Sequence, residues 1–190
     1  MTRKNRLLAI ALLSAAGAVA AAPSCVISES DLHANQALTF SDFDQVGSLP
    51  STARKLSERG CYVEAATAGE HYLLFGPSPT LRERSIIVWH LTQNLAMAGK
   101  EPEAAHLAAA AIRAHDPSDD ADDFQWNAYV RGTWAFLTKR RPLLLASIQR
   151  LRSAGGERNH MNAGVLDRLD LCFTRSYADA YASPACRIKP

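Results

Sequence analysis

Three helix-ending turns recur along this chain at almost constant spacing. Gly60, Gly99 and Lys139 stand 39 and 40 residues apart, each between two stretches of helix-forming sequence. A period of this length is the mark of stacked supersecondary units, because no single unit of that size buries its own apolar face. The stretches between the turns are punctuated by strong breakers: Gly76-Pro77-Ser78-Pro79, Asp116-Pro117-Ser118 and Gly155-Gly156. No run alternates apolar and polar residues as a half-buried strand does. Aromatic residues make up 7% of the chain, and alanine is abundant, which favours helices over a β-sandwich.

The breakers divide the chain into helices. Thr52 opens a short helix that ends at Gly60, and Cys61 to Phe75 follows, with Val63, Ala66, Leu73 and Leu74 expected on its apolar side. Thr80 with Glu83 three residues on forms a capping box for a helix to Ala98. Further helices are expected over 101–115 and 121–138. Another ends near Ala154, with Pro142 in its first turn. One last helix is expected over 158–182, as a cap. Residues 21–46 show no clean period and read as an irregular segment.

The turns align further residues. Gly60-Cys61-Tyr62-Val63-Glu64-Ala65 and Gly99-Lys100-Glu101-Pro102-Glu103-Ala104 match, with a closing Asp116-Pro117 after the second pair. Ala65 and Ala104 are small where two helices must approach, and Gly132 falls where Ala53 and Thr92 fall. This pattern resembles the tetratricopeptide-repeat family over about residues 47–154. It is degenerate: the period exceeds the usual 34, and the third copy lacks the Gly and Ala. The resemblance implies an all-α array of three αα-hairpins, a right-handed superhelix, with residues 155–190 as capping helix and C-terminus. It also implies that the first helix of each pair lines a concave groove. On that alignment Trp89, Gln93, Met97, Trp126, Tyr129, Thr133 and Phe136 form a groove for an extended peptide or a partner helix. The Lys/Asn/Arg carboxylate clamp of some family members is not matched, which speaks against capture of a free C-terminus.

Residues 1–20 read as a cleaved secretory leader: Arg3, Lys4 and Arg6, an apolar run from Leu7, then Ala18-Val19-Ala20 before the cut. All four cysteines, Cys25, Cys61, Cys172 and Cys186, follow it. An even count in an exported chain suggests two disulfides among three connectivities, and Cys25–Cys61 with Cys172–Cys186 closes the shortest loops. Without the leader's three bases, the remaining eighteen Lys and Arg nearly balance nineteen Asp and Glu. No bulk field then favours nucleic acid or an acidic membrane, and no membrane span is expected after the leader.

No catalytic motif stands out. The six histidines make no HExxH, no serine lies in GxSxG, and no glycine-rich phosphate loop exists. His90 beside Trp89 reads as a packed or half-exposed residue. No metal or cofactor is expected; the acidic run 116–123 lacks the ligand order of a calcium loop. The expected function is non-catalytic binding of a protein or peptide partner, in the periplasm or outside the cell. Two alternatives stand beside it: a small helical envelope hydrolase with acid/base groups such as Glu70 or His90 in one cleft, and an inhibitor or immunity-type protein of a secreted enzyme.

Overall fold

The computed structural model describes residues 25–114 and 124–187. The expected leader and the acidic run lie outside these residues. The fold is all-α, and among the described residues there is no strand. Among the described residues nine α-helices follow in order: α1 (Glu29–Gln36), α2 (Ala53–Glu58), α3 (Tyr62–Phe75), α4 (Leu81–Met97), α5 (Glu101–Ala108), α6 (Trp126–Leu137), α7 (Arg141–Ala154), α8 (Glu157–Leu171) and α9 (Tyr177–Ala182). A π-helical turn spans Ser41–Val46, and 3-10 turns span Ala109–Ala111 and Pro184–Cys186.

Each helix from α2 to α8 packs against the next, as hairpins in a stack do. The three aligned turns share one backbone geometry. Gly60 and Gly99 have φ of 78°, and Lys139, without a glycine's freedom, has φ of 55°. In each, the following N–H reaches back to a carbonyl five residues earlier: Cys61 to Leu56, Lys100 to Leu95, Arg140 to Ala135. That is the Schellman closure of a helix C-terminus. Lys139 is held in the left-handed region by its own side chain, whose Nζ donates to the carbonyls of Phe173 and Arg175. The sequence repeat is therefore a repeat of structure at its turns. The small residues fit it: Ala65 and Ala104 are fully buried, as is Leu144 at the same place in the third pair.

Four expectations need correction. The segment 21–46 is not irregular throughout: Ser28 and Asp31 form a capping box that starts α1, and Phe43 anchors the π turn by stacking on Tyr72 with centroids 4.0 Å apart. The long last helix is two helices. α8 ends at Leu171, and Ser176, bonded to Asp179, restarts the chain as α9. The helix expected over 101–115 stops at Ala108 and tightens into the Ala109–Ala111 turn. On α3 the buried side is Ala65, Ala66, Ala68, Gly69 and Tyr72, whereas Val63 and Leu74 face solvent.

Cys25 pairs with Cys61, and Cys172 with Cys186. The first bond ties the N-terminal segment to the turn between α2 and α3. The second closes the loop that carries α9. Such bonds suggest an oxidising compartment, extracellular or periplasmic. No helix among the described residues is long and apolar enough to cross a membrane.

Candidate functional site

Five of the seven residues expected to line a groove are core. Trp89, Trp126, Tyr129, Thr133 and Phe136 are all at most 6% exposed. Trp89 meets Trp126 and Tyr129 edge-on, and the Trp126 indole N–H donates to the Ala111 carbonyl at 2.8 Å. Phe136 is enclosed by Phe173, by Tyr177 of α9 and by the Lys139 ammonium 4.0 Å above its ring. For Phe136 part of the cover is α9, which folds back to pack on α4 and α8 and places Tyr177 against the ring, whereas Trp126 is covered by Phe124, Ala111 and Arg113. Its start is fixed by the Glu101 carboxylate, which accepts the Tyr177 backbone N–H at 2.5 Å. Burial, then neighbouring tyrosines, hold the phenols of Tyr129 and Tyr177 above the usual tyrosine range.

Gln93 and Met97 are different. Both are partly exposed on α4, and both line a trough between α2, α4 and α9. The trough consists of two adjoining hollows of about 230 and 200 Å³ that share Arg54, Ser57, Gln93, Asn94 and Tyr181. One end adds Asp44 and His90; the other adds Glu58, Tyr62, Met97 and Tyr177. The spacing on α4 explains the arrangement, since His90, Gln93, Asn94 and Met97 sit at helical intervals that share one face.

The charges in the trough are internally paired. Arg54 Nε bonds Glu58 at 2.8 Å, and Glu58 is held below the usual carboxylate range by Lys55 and Arg54. Asp44 is 3% exposed and accepts from His90 Nδ1 at 2.8 Å; its other oxygen accepts from the Gln45 amide. A carboxylate only accepts, so the His90 nitrogen that donates to Asp44 is the protonated Nδ1. Asp44 comes into place through the π turn: with Phe43 stacked on Tyr72, the next residue is carried to α4. Turns of this kind often accompany functional sites.

Asn94 stands out beside these pairs. It is 4% exposed and lines both hollows, yet its carboxamide makes no hydrogen bond to a described residue. Its amide atoms are not among the buried unpaired polar atoms of the described residues, so they remain reachable from the trough.

A larger hollow of about 600 Å³ lies between α3, α4 and α5, with Leu91, Leu95 and Leu107 among its lining and Glu70, Glu103 and His106 beside them. Glu70 is thus in a different cleft from His90. Among the described residues, the cluster of metal-ligating type is Cys25, Cys61 and Glu64, and its two sulfurs are already bonded to each other. Sequence reasoning missed Asp44, Asn94, Ser57 and Tyr181. The His90–Asn94 spacing was visible; the approach of Asp44, 46 residues from His90, was not.

Comparison with protein-family models, with curated proteins and with solved structures found no match to this chain.

Proposed function

We propose that this chain is an exported, non-catalytic helical-hairpin protein of tetratricopeptide-like design. It binds a protein or peptide partner in the cell envelope or outside the cell, and the partner seats in the trough between α2, α4 and α9. The observation that carries this reading is the trough itself, where hydrogen-bonding groups from three elements, Arg54, Ser57, Gln93, Asn94 and Tyr181, line two adjoining hollows. The aromatic face first expected to bind is withdrawn into the core, so Gln93 and Met97 remain of that set.

The test is affinity capture from the source cell's envelope and medium, with wild type beside Ser57→Trp. Ser57 lines both hollows from α2 and is only partly buried, so an indole there fills the trough without entering the core. We expect a partner held by wild type and released by Ser57→Trp, with Leu81→Glu as a surface control; Leu81 is 88% exposed. A partner that binds both proteins equally removes the trough from the reading.

One observation favours a second reading, a small hydrolase: Ser57 shares the hollow with the Asp44–His90 pair. Ser57 makes no hydrogen bond to His90 among the described residues, so the groups of a serine nucleophile are near but not engaged. Hydrolysis of p-nitrophenyl acetate that disappears in Ser57→Ala is the result this reading requires.

A further inference from the structure

The hairpin of α3 and α4 ends in a tip without charge. From His71 to Leu81 the sequence holds no Asp, Glu, Lys or Arg. Leu74 and Phe75 close α3, Leu81 opens α4, and these side chains are 70%, 60% and 88% exposed. The fold makes little use of them. The buried side of α3 is formed by residues such as Ala65, Ala68 and Tyr72, and that of α4 by Ile87, Val88 and Leu91. One exposed leucine is ordinary; three large apolar side chains at one tip mark a contact surface. Ile112 is exposed near the same end, since its neighbour Arg113 reaches Ser85, one turn along α4 from Leu81, at 3.0 Å. The backbone of the tip asks for little water. Pro77 and Pro79 carry no N–H. The Gly76 N–H is bonded to the Tyr72 carbonyl at 2.9 Å, and the Thr80 N–H to the Glu83 carboxylate at 2.8 Å. The Thr80 hydroxyl donates to that carboxylate and accepts the Glu83 N–H. Open backbone donors are costly in hydrocarbon, and here most are closed or missing. A protein interface carries about one hydrogen bond per 100–200 Å², and this tip has few to give; a lipid surface requires none. Arg82 and Arg84, both exposed, stand in the first turn behind Leu81, where headgroup phosphates lie once the tip is seated.

We propose that the α3–α4 tip is a lipid-contact site. Leu74, Phe75 and Leu81 enter the outer hydrocarbon of a bilayer, and Arg82 and Arg84 meet the phosphates. No helix among the described residues is long and apolar enough to cross a membrane, and this attachment needs none. It is shallow and reversible, because a few side chains bury little area. Apolar burial drives it, so zwitterionic lipid suffices, in keeping with the near balance of charge outside the leader. The trough lies further along α4, from His90 to Met97, and stays open while the tip is seated. The two sites are therefore independent.

The experiment uses the oxidised chain from residue 21, which contains every described residue and lacks the leader's own apolar run. The probe is vesicles of pure phosphatidylcholine, read by sedimentation. Wild type is expected to bind at millimolar lipid and to stay bound in molar salt. Leu81→Glu is expected to lower the partition constant by about tenfold or more, the value of burying one large apolar side chain. An acid in the first turn suits the helix dipole, so this variant keeps its fold. Leu145→Glu, at a leucine 47% exposed on α7, leaves binding unchanged. Phe75→Trp puts an indole at the tip, and its added fluorescence is expected to be quenched by brominated phosphatidylcholine. Absence of binding at millimolar lipid overturns the proposal, as do release by salt, an equal loss in Leu145→Glu and an unquenched indole. An envelope protein held by wild type and lost in Leu81→Glu, with bare vesicles unbound, assigns the tip to a protein instead and also overturns it. Ser57→Trp fills the trough and is expected to leave vesicle binding intact, so failure of the trough and failure of the tip are read separately.

Discussion

A methyl group on Gly132 would lie 2.4 Å from Leu166 Cδ1 and 3.0 Å from Ser147 Cβ. Alanine in mid-helix gains about 1 kcal/mol over glycine, but overpacking a filled core costs up to about 3 kcal/mol. Gly132→Ala is therefore expected to lower stability by about 1–2 kcal/mol, read as a lower melting temperature; a rise would mean that α8 yields. The buried tyrosines set a second expectation. Tyr129 and Tyr177 have raised values in the folded chain, whereas the unfolded chain ionises near the ordinary 10.0. The unfolded state loses those protons first, so stability is fully present below about pH 10 and falls as pH rises beyond it. Circular dichroism and phenolate absorbance followed from pH 8 to 12 check this, with Tyr177→Phe shifting the loss upward. At this scale the sequence was partly readable. The need for a small residue at 132 followed from the repeat, because the alignment put Ala53 and Thr92 in the same place. The burial of Trp126, Tyr129 and Phe136 did not, because helical spacing alone cannot say which side of a helix another segment will cover.

Helix boundaries were mostly legible where glycine or proline marked them, the end of α5 at Ala108, well before Pro117, being the exception. α2, α3, α4 and α7 run within a residue or two of expectation, and the Thr80–Glu83 box is formed on both of its bonds. Thr80→Ala is expected to cost about 1 kcal/mol and to raise amide exchange in the first turn of α4. The two helix starts that went unread, α1 and α9, share one signature. Ser28 with Asp31, and Ser176 with Asp179, are both a serine followed three residues later by an acid. Neither follows a proline or glycine, and both helices are short, with little periodicity to announce them. The third turn is the opposite case: lysine stands where glycine is expected, yet the geometry is kept. Lys139 gains the carbonyls of Phe173 and Arg175 and a place over Phe136. The stretch Lys139-Arg140-Arg141 is accordingly no free basic patch; Arg140 lies over Trp134, and Arg141 forks onto Asp170.

Across the whole molecule, the cysteine arithmetic narrowed the pairing to three choices, and the structure adopts the one with the shortest loops. The loops span 36 and 14 residues. Loop-closure entropy assigns them about 4 and 3 kcal/mol respectively. Replacing Cys25 and Cys61 together by serine should therefore lower stability somewhat more than replacing Cys172 and Cys186, as denaturant midpoints would show. Loss of the second pair alone should also free α9 and open Phe136 to solvent, detectable as binding of an apolar dye. The reverse order would mean that strain or residual structure, rather than loop length, governs. The outline of a helical array was available from the sequence; its C-terminal closure was not, because it depends on α9 doubling back across helices far earlier in the chain.

Stacked helical units ordinarily melt from their ends, where a unit has a neighbour on one side alone. Here both ends are fastened covalently, and the stretch between the fastenings, α3 to α8, has no such bond. Fraying from the two ends is thereby restrained. Within the stretch between them, the eight-residue α5 is the first candidate to open, while the buried helices α6 to α8 should exchange slowly. A chain built this way resists enzymes that trim from a terminus and gives way to one that cuts in the middle.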